Sequence, residues 1–238
     1  MTFELSSLIP CLVALVGGLL TLVRPPGEKL RSVIMHVAAG VVFALVAVEL
    51  LPDIIERHAP VEVGIGFATG TVLMLAIRYW SQRLEANAPA DSTGTIPSGF
   101  VVAMGVDFLV DGVLLGLGSL AGERVGTLMA IVLSVELFSL GGAVVARIGS
   151  EGVAVWKQLA VLGAMILAFL LGVYGAQLLL GDATTEILVI FLSFGLSALL
   201  FLVTEELLSE AHETEDTLLS TSMFFTGFLA FLLFEMSI

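Results

Sequence analysis

The chain has 238 residues, of which 58% are apolar and only 13% charged, with a mean hydropathy of +1.09. A water-soluble domain of this length needs more polar surface, so the composition excludes one and predicts an all-α, polytopic membrane protein as a single domain over 1–238. The formal charge of −13 disfavours partners that reward basic patches, namely nucleic acid and anionic lipid, and suits cations.

Apolar runs of about 17 to 25 residues mark membrane-spanning helices. Eight follow in chain order, roughly 5–23, 31–51, 61–79, 99–119, 123–147, 154–180, 185–208 and 217–237. The start, MTFELSSLIP, lacks a basic n-region and runs directly into the first span, so helix 1 is expected to stay uncleaved. It carries Cys11, the single cysteine, which can form neither an intrachain disulfide nor a common zinc site and reads as inert packing. Helix 2 holds His36, read as a buried neutral histidine with a metal ligand as the alternative. Near the outer end of helix 2, Glu49 is either an entry ligand or an interfacial acid. Between helices 3 and 4, residues 81–98 (SQRLEANAPADSTGTIPS) form the one sizeable polar linker, rich in small residues and prolines.

Helix 4 contains the main chemical signal. Asp107 and Asp111 sit in the otherwise apolar run GFVVAMGVDFLVDGVLLGLGSL, where one charge costs at least ~2.5 to 3.5 kcal/mol. Positions four apart share a helix face, roughly 6 Å apart along the axis. Helix 5 brings Glu136 to a similar depth, because a short connection makes helices 4 and 5 antiparallel neighbours, and Ser139 follows one turn on. The sequence puts no Lys or Arg at that depth. Like carboxylates in low dielectric need a proton, a cation or a hydrated cavity. A divalent cation with oxygen ligands is the simplest partner. Gly105, Gly112, Gly116, Gly118, Gly141 and Gly142 read as close-packing positions. Farther on, Gln177 and Glu235 lie near the outer boundary and read as interfacial. Helix 7 ends in Glu205 and Glu206, followed by Glu210, His212, Glu213, Glu215 and Asp216. These residues form either an inner exit path or an ordinary solvated acidic turn.

Helix 2 ends GVVFALVAVELLPDIIE and helix 7 ends GLSALLFLVTEELLSEAHE. Each has a glycine, an aliphatic run, an acidic-Leu-Leu element and a further acid. The two helices run in opposite directions, and repeats of opposite orientation build many secondary transporters; chance recurrence of Leu-rich, acid-ended segments is the alternative. Of the nine basic residues, the loops after helices 1, 3 and 5 carry seven: Arg24, Lys29, Arg31, Arg78, Arg83, Arg147 and Lys157. The positive-inside rule puts those loops in the cytoplasm and both termini outside.

The segment Asp107-Phe108-Leu109-Val110-Asp111-Gly112, with Leu115-Gly116, resembles the helix 4 motif His-Asn-x-x-Asp/Glu-Gly of the ZIP family of divalent metal transporters. Val135-Glu136-Leu137-Phe138-Ser139 is similar to that family's helix 5 motif, His/Gln-Glu/Asp-x-Pro-His/Glu. Glu49-Leu50-Leu51-Pro52-Asp53 is similar to the His-Leu-Leu-Pro-Glu end of its helix 2. The resemblance implies a ZIP-like bundle with an inverted repeat of helices 1–3 and 6–8, a homodimer, a cell-membrane location and divalent metal transport. It departs at the ligands. Asp107 stands for histidine, Phe108 for asparagine, Phe138 for proline and Ser139 for a ligand, and Gly172-Val173 fall where the family often has Glu-Pro. Neither does the 81–98 loop carry the family's frequent histidine cluster.

Together these features predict a divalent metal transporter working by alternating access. The ion is substrate rather than cofactor, with Asp107, Asp111, Glu136 and Ser139 as ligands and Glu49, His36, Glu205 and Glu206 as secondary candidates. Loss of imidazole shifts the expected cargo from zinc toward manganese, iron(II) or magnesium. Two alternatives stand beside it: a metal-free proton-coupled transporter or channel, and a ZIP-like membrane protein that no longer transports and serves a structural or regulatory partner. No nucleophile arrangement is visible, and both aspartates share one helix, so the chain does not read as an enzyme.

Overall fold

A computed structural model describes residues 3–23, 27–86, 96–212 and 218–237. Those residues are helical with short turns and contain no strand. We name the helices in chain order: α1 (Phe3–Val23), α2 (28–56), α3 (Pro60–Ala86), α4 (Ser98–Ala121), α5 (Glu123–Ser150), α6 (Val155–Leu180), α7 (185–211) and α8 (Leu218–Glu235). Each expected span is therefore a helix. Seven, α2 to α8, are long and apolar enough to cross a membrane, and the apolar stretch of α1, Ser7–Val23, is shorter. The chain is built as a multi-pass membrane protein. Helices suit this environment because each satisfies its own backbone hydrogen bonds where lipid offers none. Helix α3 continues to Ala86, into the segment expected as linker, and residues 87–95 lie outside the described residues.

The turns are short and locally specified. After α2, His58 takes a left-handed conformation (φ 50°) and Pro60 begins α3, where its fixed φ suits the first helical turn. Gly122 alone separates α4 from α5. At φ 155° and ψ 158° it occupies a conformation that side-chain-bearing residues avoid, so the chain reverses in one residue.

Two helices widen into a π turn. In α2 the wider turn covers Val46–Leu50, where the Leu51 N–H donates to the Val46 carbonyl. Pro52 accounts for it, since its ring lacks an N–H and crowds the carbonyl four residues back. In α7 the wider turn covers Leu202–Leu207. There Thr204 donates its hydroxyl to the Leu200 carbonyl at 2.9 Å, a side-chain bond that competes with the regular ladder. Both π turns fall on the acidic-Leu-Leu elements, with Glu49 in one and Glu205 and Glu206 in the other.

Burial sorts the helices into an inner and an outer group. The apolar window is 67% buried in α5, 61% in α7 and 56% in α2, but 22% in α8 and 17% in α3. Val72 and Leu75 on α3, Leu167 and Leu171 on α6, and Phe225 and Leu233 on α8 all point outward. So much exposed apolar surface suits lipid rather than water.

Four helix pairs approach through glycine: α1 with α5, α2 with α8, α3 with α7, and α4 with α6. In the first, Gly17 lies against the Phe138 carbonyl and Gly141 against that of Ala14. In the fourth, Gly172 lies against the Leu109 carbonyl and Gly112 against that of Phe169. Gly227 meets the Val37 carbonyl in the α2–α8 pair, and Gly70 meets the Phe194 carbonyl in the α3–α7 pair. Lipid tails are as apolar as leucine, so such close van der Waals packing, rather than hydrophobic burial, is what holds membrane helices together.

Candidate functional site

The single-residue turn at Gly122 sets the depth of the acids. At 1.5 Å per residue, Asp107 and Glu136 both lie roughly 21 to 22 Å along their helices from it, and Asp111 lies about 16 Å away. The depth match expected from the sequence therefore follows from register. Glu136 is fully buried and Asp111 is 3% exposed, whereas Asp107 is only partly buried. Asp107 and Asp111 are close enough for their charges to interact.

The acids stand in a tightly packed frame. Phe108, next to Asp107 in sequence, is fully buried, and Gly112 follows Asp111 at the α4–α6 contact. On α5, Phe138 and Gly141 form the contact with α1 just beyond Glu136. Ser139 is half-buried and donates its hydroxyl to the Met35 sulfur at 3.7 Å, which ties α5 to α2. Among the described residues, no three His, Cys, Asp or Glu side chains gather closely enough to hold a metal ion. In this conformation, then, Asp107 and Asp111 form a neighbouring pair, and the described residues hold no three-residue cluster of metal-ligating type.

Gly172 lies at the contact between α6 and α4. A Cβ there would run into the Leu109 carbonyl and stand 2.8 Å from the Val113 nitrogen. The absence of a side chain at this position lets α6 approach the backbone of α4.

The secondary candidates separate into two ends of the bundle. Glu49 is half-buried in the α2 π turn, with Glu235, Arg124 and Asp53 as electrostatic neighbours. Glu235 itself is buried and accepts from Arg124, and Asp53 pairs with Arg57 at 3.0 Å. At the opposite end Glu205 is exposed and ion-paired with Arg78 of α3. The side chains of Glu206 and Glu210, and residues 213–217, lie outside the described residues.

His36 is 2% exposed and engaged within its own helix, Nδ1 donating to the Ser32 carbonyl at 2.8 Å. Its ring meets that of His212 edge-on, with centroids 5.3 Å apart. Ser32 in turn donates to the Ala211 carbonyl at 2.9 Å, docking the start of α2 on the end of α7. Cys11 is buried and donates to the Ser7 carbonyl. Gln177 is half-buried.

The sequence reading missed the inter-helix pairs Arg124–Glu235 and Arg78–Glu205. The only available signal was an arginine and an acid both near helix ends on the same face of the membrane. It also missed Gln158, which is buried and donates to the Val153 carbonyl at 2.7 Å, capping the turn into α6. No family model matches the chain, and no curated protein matches it.

Proposed function

We propose that the chain moves a divalent cation across the membrane by alternating access, with Asp107, Asp111 and Glu136 as intramembrane ligands and Ser139 as an auxiliary oxygen. One observation carries this reading: α4 and α5 place their acids at equivalent positions. The glycine contacts pair Gly112 with Gly141 and Leu109 with Phe138. The same offset carries Asp107 onto Glu136, so an acid recurs at one site on two antiparallel helices. Isolated intramembrane acids are costly, and recurrence at a matched position favours a shared ligand over an accident.

The wider architecture is read as an inverted repeat of α1–α3 and α6–α8. Exchanging α1 with α6, α2 with α7, α3 with α8 and α4 with α5 turns the α1–α5 pair into α6–α4 and the α2–α8 pair into α7–α3. The matched glycine contacts, and the π turns on corresponding acidic elements, support that exchange. A ZIP-like bundle in a cell membrane, dimeric and with both termini outside, is the arrangement consistent with the motifs and the basic loops.

The chemistry follows from charge and oxygen. A hydrated cation arriving at Asp107 and Asp111 exchanges water for carboxylate, which relieves their mutual repulsion. Completing the set with Glu136 requires α5 to move against α4, and such movement is what alternating access supplies. An all-oxygen site favours manganese, iron(II) or magnesium over zinc. Proton transfer by the Asp107–Asp111 pair is the second reading, and the interaction between those two carboxyl groups favours it.

Uptake of each of these ions into proteoliposomes, for the wild type and for Asp107→Ala, Asp111→Ala and Glu136→Ala, tests the proposal. Loss of metal uptake in all three variants is expected. Equal flux in all four proteins removes the site. Metal-independent, pH-driven flux that is lost in the aspartate variants selects the proton reading.

A further inference from the structure

A cavity of about 770 Å³ opens between α1, α2, α4 and α5 on the face that carries most of the basic residues. Its walls are apolar, formed by Leu20, Leu30, Ile34, Phe100 and Phe138, and it extends inward to Gly17 and Ser139. Two arginines line its outer part, Arg31 in the early turns of α2 and Arg147 in the last turns of α5. From Ser139 to Arg147 it runs roughly 12 Å along α5. The first turn of α2 adds the positive end of a helix dipole, since Gly27, its N-cap, also lines the space.

We propose that this cavity binds an anionic phospholipid, with the phosphate between Arg31 and Arg147 and an acyl chain along the apolar walls. A basic rim over an apolar cleft between membrane helices is the arrangement that recognises such head groups. Overall charge argues the other way, because the chain carries −13. Local charge decides, however, because interactions beyond about 8 to 10 Å are screened in salt. Arg147 already donates to Glu151 and lies 3.4 Å from the Ser150 hydroxyl. A guanidinium has five N–H donors, and the pairing with Glu151 is solvent-accessible on both sides, at 48% and 30% side-chain exposure. Such a pair is weak enough for a phosphate to share or displace it. A lipid here would rest beside Ser139 and Phe138, one turn from Glu136, and so would couple bilayer composition to the movement of α5.

Native mass spectrometry of the detergent-purified full chain tests this, with dioleoylphosphatidylglycerol and dioleoylphosphatidylcholine as probes. Saturable phosphatidylglycerol binding is expected, on the order of tenfold tighter than phosphatidylcholine. Arg31→Ala/Arg147→Ala should remove that preference. Ala143→Phe, which fills the cavity without changing charge, should weaken both lipids. Each variant is first matched to the wild type by gel-filtration profile, and Arg31→Lys/Arg147→Lys, which keeps the charge, should retain the preference. Equal binding of the two lipids by the wild type overturns the proposal, as does a preference that survives in the double-alanine variant or an undiminished affinity for both lipids in Ala143→Phe. Displacement of phosphatidylglycerol by excess inorganic phosphate also overturns it, by pointing to a site for free anions.

Discussion

Replacing Gly112 with alanine isolates the contact that holds the aspartate helix in place. The new Cβ would run into the Phe169 carbonyl oxygen, stand 2.8 Å from its carbon and lie 3.0 Å from the Val173 nitrogen. All three atoms are backbone, so no side chain can rotate away, and α6 must withdraw by more than about 1 Å to restore ordinary contact with the carbonyl oxygen. Overpacking of this kind costs about 1 to 3 kcal/mol, whereas the same substitution gains up to about 1 kcal/mol in helix propensity. A clash with rigid backbone belongs at the upper end of the overpacking range, so the net expectation after the propensity gain is a loss of about 2 kcal/mol. Gly163→Ala, on α6, is the matched control: nothing lies within 4 Å of its Cβ, so only the propensity gain remains. Thermal unfolding in detergent should therefore put Gly112→Ala below the wild type and Gly163→Ala at or above it. If Gly112→Ala is as stable as Gly163→Ala, the α4–α6 backbone contact is not what the packing argument takes it to be.

Three further outcomes follow from the same reasoning. Arg124→Ala should lower thermal stability more than Arg78→Ala, because it strands Glu235, whose side chain is 7% exposed, while Glu205 at 44% can turn to solvent. Adding Glu235→Gln to Arg124→Ala should restore most of the loss, and no recovery would locate the effect elsewhere. Gln158→Leu deletes the 2.7 Å bond to the Val153 carbonyl and should cost about 1 to 2 kcal/mol, read as a lower unfolding midpoint. Cys11, buried in α1, should resist a water-soluble maleimide in the folded protein and react once it is denatured. Rapid labelling of the native protein would contradict its burial.

The ion pairs at the two ends of the bundle bear on mechanism. Arg124–Glu235 ties α5 to α8 next to the α2 π turn, and Arg78–Glu205 ties α3 to the α7 π turn. Each joins an inner helix to an outer one, so neither could have been anticipated from spacing along a single helix. Glu205 reads from the sequence as either an exit ligand or part of a solvated acidic turn, and its carboxylate is engaged by Arg78 in this conformation. In the proposed transporter, a cation leaving by that route would compete with a guanidinium.

The spans were legible from the sequence because a bilayer leaves the backbone almost no alternative to helix over an apolar run of this length. The similar depth of the acids was legible as well, since the rise per residue converts position into distance once a short connection makes helices 4 and 5 antiparallel neighbours; the one-residue turn at Gly122 came from the structure. Glycines could be recognised as packing positions but not assigned partners. Gly17 and Gly172 look alike in sequence, yet one meets α5 and the other α4. Which carboxylates gather was equally undetermined, because residues on separate helices meet only through crossing angle and rotation, which depend on every contact along both helices. The sequence by itself determined the membrane helices and an acid at matched depth on α4 and α5. Only the tertiary structure decided that, among the described residues, no three acidic or histidine side chains gather into one cluster, since helix rotation is a property of packing and not of register.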